Sequence, residues 1–309
     1  MPWSHHSHSG QFCGHATSTL EEVVRKAISK KMTTFCLTEH IARQEVDFYP
    51  GEAEEHTQET LAKLYDEFYH EARRLQKKYA DQIQVLVGFE GEWIREYSLP
   101  LIQDLLQTYE LDLFVGSVHH VHTVPIDYDM EHYHKARDIA GGTDERIFGD
   151  YFDSQFEMLQ ALKPPLVGHF DLIRLKSDQP DRSFKTWPQV WERIIRNLNF
   201  IASYGGVLEL NTSAIRKGML EAYPQSEICK TFKALGGRFT LSDDSHGIDQ
   251  VGLNYDKTWN NNVMRAGLTE LHRLIPTEDK SKTHDERFPN VCWEKVWWSD
   301  VRDHPFFSS

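Results

Sequence analysis

The sequence predicts an α/β protein whose parallel strands form a barrel. Two observations support this fold class. Apolar, strand-like runs alternate with segments of helical periodicity, and these runs repeatedly end on a histidine or a carboxylate. Such runs cover residues 34–40, 84–90, 113–119, 166–169 and 238–246. Because the carboxyl ends of parallel strands meet on one face of a barrel, we expect these polar side chains to converge on one cavity.

Strand ends are expected near residues 6, 38, 89, 118, 168, 211 and 242, which gives about seven strand-helix units. The intervening segments carry helix signals, such as an N-cap serine or threonine, early acidic residues and late basic residues. Helices are predicted over residues 18–28, 57–78, 99–109, 148–162, 187–204 and 226–235.

In two segments the apolar residues show neither helical nor strand periodicity. The stretch 121–143 is rich in His, Asp and Tyr and begins beside His119, so we expect an active-site loop there. Residues 276–290 are predicted to form an exposed loop before a Trp-rich tail. We expect one domain over residues 1–309, with a C-terminal extension from about residue 276.

Composition limits the classes of partner. Hydrophobic residues make up 39% of the 309 residues and aromatic residues 12%, which is enough for a sizeable core. The net charge is -13, and the sequence has no Lys/Arg run of the kind that follows a phosphate backbone. A nucleic-acid partner is therefore not expected, whereas a small anion is compatible with bound cations.

The four cysteines suggest a reducing compartment. Cys13, Cys36, Cys229 and Cys292 are far apart and form no Cys-x-x-Cys pair, so neither a disulfide framework nor a thiolate zinc finger is expected. No signal peptide is recognised, and no apolar run approaches the roughly 20 residues that cross a bilayer. These features predict a cytoplasmic protein with no membrane partner.

His6 and His8 are the first residues in the chain with a spacing typical of metal ligands. In extended backbone, both imidazoles point to the same side and can bind one cation. A remnant of an expression tag or a disordered His-rich end would look similar, although the run continues directly into Gly10-Gln-Phe-Cys-Gly-His15.

Three further positions strengthen the metal interpretation. Glu90, in Gly88-Phe-Glu-Gly-Glu-Trp, would be costly to bury without a partner, and a carboxylate can bridge two cations. Asp244 and His246 again share one side of an extended segment. A single histidine at a strand end, such as His40 or His169, is more often a hydrogen-bonded core residue than a metal ligand. The metal site is therefore inferred from all these positions together and not from any one of them.

Taken together, these motifs resemble the PHP (polymerase and histidinol phosphatase) superfamily. They are His6-x-His8, Thr38-Glu-His40, Gly88-Phe-Glu90, Gly116-Ser-Val-His119, Gly168-His169-Phe-Asp and Ser242-Asp-Asp244-Ser-His246, and the resemblance extends to about residue 252. It implies a distorted (β/α)7 TIM-like barrel and a trinuclear cluster of divalent Zn, Fe or Mn. The ligands that it implies are His6, His8, His15, His40, Glu90, His119, His169, Asp244 and His246.

Within the superfamily, residues 5–15 and Asn211-Thr-Ser-Ala-Ile-Arg-Lys-Gly resemble the monofunctional histidinol-phosphate phosphatases, particularly the fungal type. Arg174 and Arg216 each follow a strand end, where a guanidinium group can bind two phosphate oxygens. We expect both arginines to bind the phosphate and, together with Asp244, to carry the catalysis.

Other polar residues near the strand ends have less defined roles. Glu92, two residues after Glu90, is a candidate for binding the substrate ammonium group, and His122 is a candidate for contacting the substrate. A proton donor for the leaving group would come from a histidine, since its pKa lies near neutrality. The choice stays open among the histidines that follow His119, namely His120, His122, His132 and His134.

The reaction implied by the resemblance is hydrolysis of L-histidinol phosphate to L-histidinol and phosphate, a step of histidine biosynthesis. The expected mechanism is in-line attack by a metal-bridging hydroxide, with the arginines stabilising the developing charge. The substrate would be a small phosphomonoester, and the oligomeric state is not predicted.

Three alternatives remain. Another PHP phosphoesterase would act on nucleotides or other small phosphomonoesters. An amidohydrolase-like barrel would cleave C–N bonds, but this reaction would give Arg174 and Arg216 no phosphate to bind. A metal-storing or scaffold protein would close its coordination shells with protein ligands and would need no anion site.

Overall fold

A computed structural model describes residues 2–283, 285–304 and 306 of the chain. The strands are β1 (Trp3–Ser4), β2 (Thr34–Leu37), β3 (Gln84–Glu92), β4 (Leu113–Ser117), β5 (His120–Val121), β6 (Val124–Pro125), β7 (Leu166–Val167), β8 (Val207–Asn211), β9 (Arg238–Ser242), β10 (Glu270–Pro276) and β11 (Val291–Trp297). Seven of them are parallel and form one sheet in the order β1-β2-β3-β4-β7-β8-β9, which curves into a nearly closed barrel. The predicted distorted (β/α)7 fold is therefore confirmed.

Helices cover the outside of the barrel and connect its strands. They are α1 (Leu20–Ser29), α2 (Glu52–Glu55), α3 (Gln58–Lys78), α4 (Ser98–Thr108), α5 (Met130–Ile139), α6 (Asp144–Leu162), α7 (Pro188–Tyr204), α8 (Ser213–Arg216), α9 (Ser226–Ala234), α10 (Tyr255–Thr258), α11 (Met264–Ala266) and α12 (Trp298–Arg302). A π-helical turn, Trp259–Val263, joins α10 to α11. Among the described residues, no helix is long and apolar enough to cross a membrane.

Local capping explains why the predicted helices begin where they do. The Thr19 side chain accepts from the amide of Glu22 while the Glu22 carboxylate accepts from Thr19, which is a capping box for α1. Thr57 and Thr60 form the same reciprocal pair for α3. The other predicted helices are also found, and only α6 differs appreciably, because its cap at Thr143 starts it before the predicted Phe148.

The first and last strands of the barrel meet through a few hydrogen bonds. The amide of His5 donates to the carbonyl of Leu241 over 3.2 Å, and the amide of Asp244 donates to the carbonyl of His6 over 3.1 Å. A parallel bridge between Ser7 and Ser245 continues this contact beyond the strands. The carboxyl ends of β1 and β9 are thereby held side by side.

The segment 121–143 is not the irregular loop that the sequence suggested. It contains the antiparallel hairpin β5–β6 and helix α5. Asp129 caps α5 by accepting from the amide of His132 over 2.8 Å, and Tyr133 and Ala136 bury one face of the helix. Only the short connection around Asp127 and Tyr128 reaches the cavity described below.

The C-terminal region packs against the barrel. Strands β10 and β11 form an antiparallel hairpin, and the amide of Leu274 donates to Nε2 of His5 over 2.9 Å. Trp298 stacks on Trp259 with ring centroids 4.6 Å apart. The predicted Trp-rich tail is thus a strand and a helix, and the packed extension begins at Glu270, before the predicted residue 276. Part of the predicted loop and tail, at positions 284, 305 and 307–309, lies outside the described residues.

A single hydrophobic cluster connects the barrel, its surrounding helices and the C-terminal hairpin. It includes Phe35 on β2, Phe152 on α6 and Leu274 on the C-terminal hairpin, each buried. The four cysteines are free thiols, and all of them are buried. The single domain expected over residues 1–309 stays a prediction, with which this continuous core is compatible.

Candidate metal centre

Glu90 lies at the centre of a buried group of histidines. Its Oε2 atom is 3.2 Å from Nε2 of His6, 3.3 Å from Nε2 of His8 and 3.1 Å from Nδ1 of His40. His6 and His8 follow β1, whereas His40 follows β2 and forms a parallel bridge with Glu90. One carboxylate oxygen therefore faces three imidazoles from two neighbouring strand ends.

The other oxygen of Glu90 faces a second group. Its Oε1 atom is 2.9 Å from Nε2 of His169 and 3.4 Å from Nε2 of His119, and it accepts from Oγ of Ser117 over 2.6 Å. Gly168 permits this approach, because a Cβ there would lie 2.6 Å from Oγ of Ser117. The two oxygens of Glu90 thus face separate sets of nitrogen atoms.

A third group lies at the seam of the barrel. Nε2 of His246 is 3.1 Å from Nε2 of His15, and Oδ1 of Asp244 is 3.6 Å from both Nε2 of His8 and Nδ1 of His246. Sγ of Cys13 lies 3.3 Å from Nδ1 of His15. Asp244 has a φ of 48°, in the left-handed region that aspartate and asparagine adopt more readily than most non-glycine residues.

These separations fit ligands that share a cation. Two ligand atoms bound to one tetrahedral zinc ion lie about 3.3 Å apart, since each is about 2.0 to 2.1 Å from the metal. Within the described part of the chain, Nε2 of His6, His8 and His40 are buried and have no hydrogen-bond partner. The donor set of imidazoles and carboxylates suits zinc, iron or manganese. All nine predicted ligands belong to groups whose possible ligand atoms lie within 4.8 Å of one another, namely His6, His8, His15, His40, Glu90, His119, His169, Asp244 and His246.

The charge state of the carboxylates favours cations. Burial alone would raise the pKa of Glu90, but the neighbouring His6 and His119 hold it well below its usual range. Burial also opposes ionisation of Asp244, and His6 and His246 again hold its pKa well below normal. The pKa of His8 is raised to about 9, because Glu39 and Glu90 outweigh the effect of burial. Cation binding would displace such protons, so it is coupled to pH.

Two further carboxylates orient the histidines from behind. Glu209 on β8 lies 3.1 Å from Nδ1 of His6, and Glu39 lies 2.9 Å from Nδ1 of His8. Such contacts fix the tautomer that presents Nε2 to a metal. Neither residue was predicted from the sequence, although Glu209 is an acidic residue within an apolar run, where it would be costly to bury without a partner.

The groups open into a cavity of about 700 Å³. Arg216 lines it, and its Nη2 atom donates to the carbonyl of Asp244 over 3.2 Å. The neighbouring Lys217 is exposed and also lines the cavity. The cavity therefore has two adjacent cationic side chains beside the candidate metal ligands, and only Arg216 was expected from the sequence.

Arg174 does not lie at the cavity, so the structure gives no support to the expectation that it binds phosphate, which stays a prediction. It is 1% exposed and is not among the described residues that line the cavity. Its Nε atom donates to Asp171 over 3.0 Å, and Nη2 donates to the carbonyls of Glu221 and Ala222. The guanidinium also lies over the ring of Tyr223. With its donors occupied, Arg174 stabilises the loops behind the site.

His122, a candidate for contacting the substrate, also lies away from the cavity. Its Nε2 atom lies 2.8 Å from Asp150, at the exposed turn of the β5–β6 hairpin, and His122 is not among the described cavity residues. His132 pairs with Asp129 instead of facing the cavity. His120 is buried, with Nδ1 2.7 Å from Glu92.

Glu92 lines the cavity, as the sequence suggested, but it has partners. Its Oε1 atom lies 2.7 Å from Nδ1 of His120 and 3.3 Å from Nδ1 of His119, and its Oε2 atom lies 3.5 Å from Nη1 of Arg43. These contacts hold its pKa well below normal despite burial, with Arg43 as the largest opposing influence. Glu92 is thus committed to positioning His119 and His120.

The fold and the site define a parallel-stranded barrel with a candidate metal centre at its carboxyl rim. The chain belongs to the PHP domain family, whose profile matches residues 4–213. It is 45% identical to a probable histidinol-phosphatase of Schizosaccharomyces pombe, over 96% of each chain. It is 37% identical to the histidinol-phosphatase of Saccharomyces cerevisiae, over 82% of this chain and 86% of the relative.

A solved structure has the same fold. Histidinol phosphate phosphatase from Lactococcus lactis, crystallised with zinc, L-histidinol and phosphate, superposes with a TM-score of 0.66 at 21% identity. The match covers 88% of this chain and 95% of the other.

Proposed function

We propose that this protein is a metal-dependent histidinol-phosphatase that converts L-histidinol phosphate and water to L-histidinol and phosphate in histidine biosynthesis. The single observation that carries the proposal is Glu90, whose two oxygens face separate sets of histidines at the base of a cavity. Relatives of 45% and 37% identity named for this activity support the choice of substrate.

We infer that the nine candidate ligands hold three divalent cations, of zinc, iron or manganese. His6, His8 and Glu90 would contribute to one site, Glu90, His119 and His169 to a second, and His15, His40 and His246 to a third, with Asp244 between the first and the third. Divalent cations at such a site neutralise a phosphate dianion and supply hydroxide at neutral pH.

The chain's own residues would bind and orient the ester. Arg216, anchored on the carbonyl of Asp244, is placed to donate to phosphate oxygens, and Lys217 adds a second positive charge. Both act where negative charge develops during displacement of the alcohol. Glu209 and Glu39 hold His6 and His8 in the required tautomers.

The direct test is a comparison of kcat/KM for L-histidinol phosphate, a nucleoside monophosphate and p-nitrophenyl phosphate. We expect the first substrate to be preferred. The variant Asp244→Asn, which removes a candidate ligand charge, should lose activity on all three. A nucleotide hydrolysed as efficiently as L-histidinol phosphate would favour a different PHP phosphoesterase. We also propose that the protein works in the cytosol, where its free thiols stay reduced.

A further inference from the structure

The segment that follows β8 contacts Asp244 at several points. It starts at Asn211, the last residue of the strand, and continues into the short helix α8, from Ser213 to Arg216. Arg216 donates to the carbonyl of Asp244 over 3.2 Å. Asn211 and Ser213 are 0% and 1% exposed, and neither is among the described residues that line the cavity. Two buried polar residues beside a candidate metal ligand therefore lie outside the roles proposed so far.

The two carboxylate oxygens of Asp244 have different surroundings. Oδ2 accepts from Oγ of Ser213 over 3.1 Å and from Nδ2 of Asn211 over 3.3 Å. Oδ1 lies 3.6 Å from Nε2 of His8 and 3.6 Å from Nδ1 of His246. The hydrogen-bond donors therefore occupy one oxygen, and the other faces the candidate metal ligands.

Asn211 is itself fixed by its neighbours. Its Nδ2 atom also donates to Oε1 of Glu209 over 2.7 Å, and its Oδ1 atom accepts from the amide of Ser213 over 2.9 Å. Its backbone amide and carbonyl both pair with Tyr223. Because an amide donor requires the carbonyl oxygen of Asn211 on its side, the NH2 group must face the two carboxylates, Glu209 and Asp244.

The backbone of Asp244 is held on both sides. Its amide donates to the carbonyl of His6 over 3.1 Å, and its carbonyl accepts from Arg216. Rotation of the side chain is therefore the main freedom that this residue retains. The hydrogen bonds from Ser213 and Asn211 oppose that rotation, because turning Oδ2 away would leave the buried hydroxyl group of Ser213 without this acceptor.

We propose that Ser213 and Asn211 are positioning residues that hold the carboxylate of Asp244 with Oδ1 toward the cations. This role rests on the proposed function, in which Asp244 is a metal ligand. A ligand carboxylate that is oriented before the cation binds loses less rotational freedom on binding, so the affinity for the cation is higher. Neither residue would contact the cation or the phosphomonoester itself.

Ser213→Ala tests this role, because it removes the hydroxyl group and leaves the rest of the turn. Metal retention is measured without substrate, by elemental analysis of protein dialysed against increasing concentrations of a chelator. We expect half of the bound metal to be lost at a chelator concentration about 10-fold lower than for the wild type. The matched control is Thr212→Val, since the Thr212 hydroxyl donates to the carbonyl of Leu253 over 2.7 Å and not to a candidate ligand. This control should retain metal as the wild type does.

A double-mutant cycle separates positioning from a general structural effect. If Ser213 acts through Asp244, Ser213→Ala should cause no further loss of metal in the Asp244→Ala background. An equal loss with and without the Asp244 carboxylate would overturn the role. Equal metal retention in Ser213→Ala and Thr212→Val would overturn it as well.

Thermal unfolding provides a second measurement. Ser213→Ala and Thr212→Val each remove one hydroxyl hydrogen bond of a buried residue, so their metal-free forms should unfold at similar temperatures. Added metal should raise the Tm of Ser213→Ala by less, because this variant binds the cations less tightly. A metal-free Ser213→Ala that unfolds at a much lower temperature than Thr212→Val would show a general structural role and overturn the assignment.

Failure of the proposed function gives a different result. A wild-type protein that binds no metal would contradict the metal-dependent function, and the positioning role would fall with it. A wild type that binds metal but hydrolyses a nucleotide as efficiently as L-histidinol phosphate would contradict only the choice of substrate. Wild-type metal retention in Ser213→Ala would contradict the positioning role alone.

Discussion

Glu209 connects two candidate metal ligands from different strands. Its Oε2 atom lies 3.1 Å from Nδ1 of His6, and its Oε1 atom accepts from the backbone amide of His169 over 2.6 Å. His6 and His169 face opposite oxygens of Glu90. One buried carboxylate on β8 therefore sets the positions of ligands in two groups.

The first prediction concerns this residue. Glu209→Gln removes the charge that supports the imidazole of His6, so metal affinity should fall about 10- to 100-fold. Bound metal would be measured by elemental analysis during titration with a chelator. Glu192→Gln, an exposed acid on α7, is the control. Equal metal retention in the two variants would contradict a supporting role for Glu209.

Removal of metal should abolish catalysis. Dialysis against a chelator is expected to give inactive protein, and Zn, Mn or Fe should restore turnover, because water needs a cation to become a nucleophile at neutral pH. Elemental analysis of the active form should approach three ions per chain. Full activity in verified metal-free protein would end the metallohydrolase interpretation.

Arg216 should matter for the reaction more than for folding. Arg216→Ala is expected to reduce kcat/KM by a factor equivalent to about 2 to 4 kcal/mol, as for a lost transition-state donor. The effect should appear with every phosphomonoester, because the side chain would contact the phosphate. Arg25→Ala, on the exposed surface of α1, is the control. An unchanged kcat/KM would exclude Arg216 from phosphate binding.

Arg174 should show the opposite behaviour. Arg174→Ala breaks a buried ion pair with Asp171, so the free energy of unfolding should fall by about 3 to 5 kcal/mol. Denaturation by urea measures this loss. Any loss of kcat should follow the fraction of unfolded protein. A folded, fully stable variant with impaired phosphate binding would restore the original expectation for Arg174.

The C-terminal hairpin provides a pH-dependent contribution to stability. Burial, followed by the charge of Arg238, lowers the pKa of His272 from 6.5 to about 4. Between these values the unfolded chain binds a proton that the folded chain does not, so stability decreases as the pH falls from 6.5 toward 4. His272→Gln should flatten this dependence by on the order of 2 to 3 kcal/mol across the window.

Denaturant unfolding at several pH values tests the last prediction. His70→Gln, at an exposed position of α3, is the matched control and should leave the pH dependence as in the wild type. An equally steep pH dependence in His272→Gln and the wild type would argue against a neutral, buried imidazole.

The barrel and the clustering of the candidate ligands were predictable because they depend on local patterns. Apolar runs that stop at His40, Glu90 or His119 mark strand ends, and parallel topology alone brings those ends together. The position and contacts of the Arg174 side chain could not be predicted in this way. Its distance from a strand end resembles that of Arg216, but the carbonyls of Glu221 and Ala222 that occupy its donors come from a distant loop.

The roles of the remaining polar residues depend on tertiary neighbours. Asp127 and His122 lie close together in a segment of similar composition, yet one lines the cavity and the other pairs with Asp150 at the surface. The turn between β5 and β6 makes this difference, and the sequence of the segment gave no period from which to predict it.

The contact between β1 and β9 places side chains from the two ends of the barrel close enough to share a metal ion. His8 and Asp244 approach to 3.6 Å across this contact, although more than two hundred residues separate them along the chain. A cation shared by these two side chains would act as a cross-link between the beginning and the end of the barrel. Amide hydrogen exchange along β1 and β9 should therefore slow when metal is restored, even where no ligand is nearby.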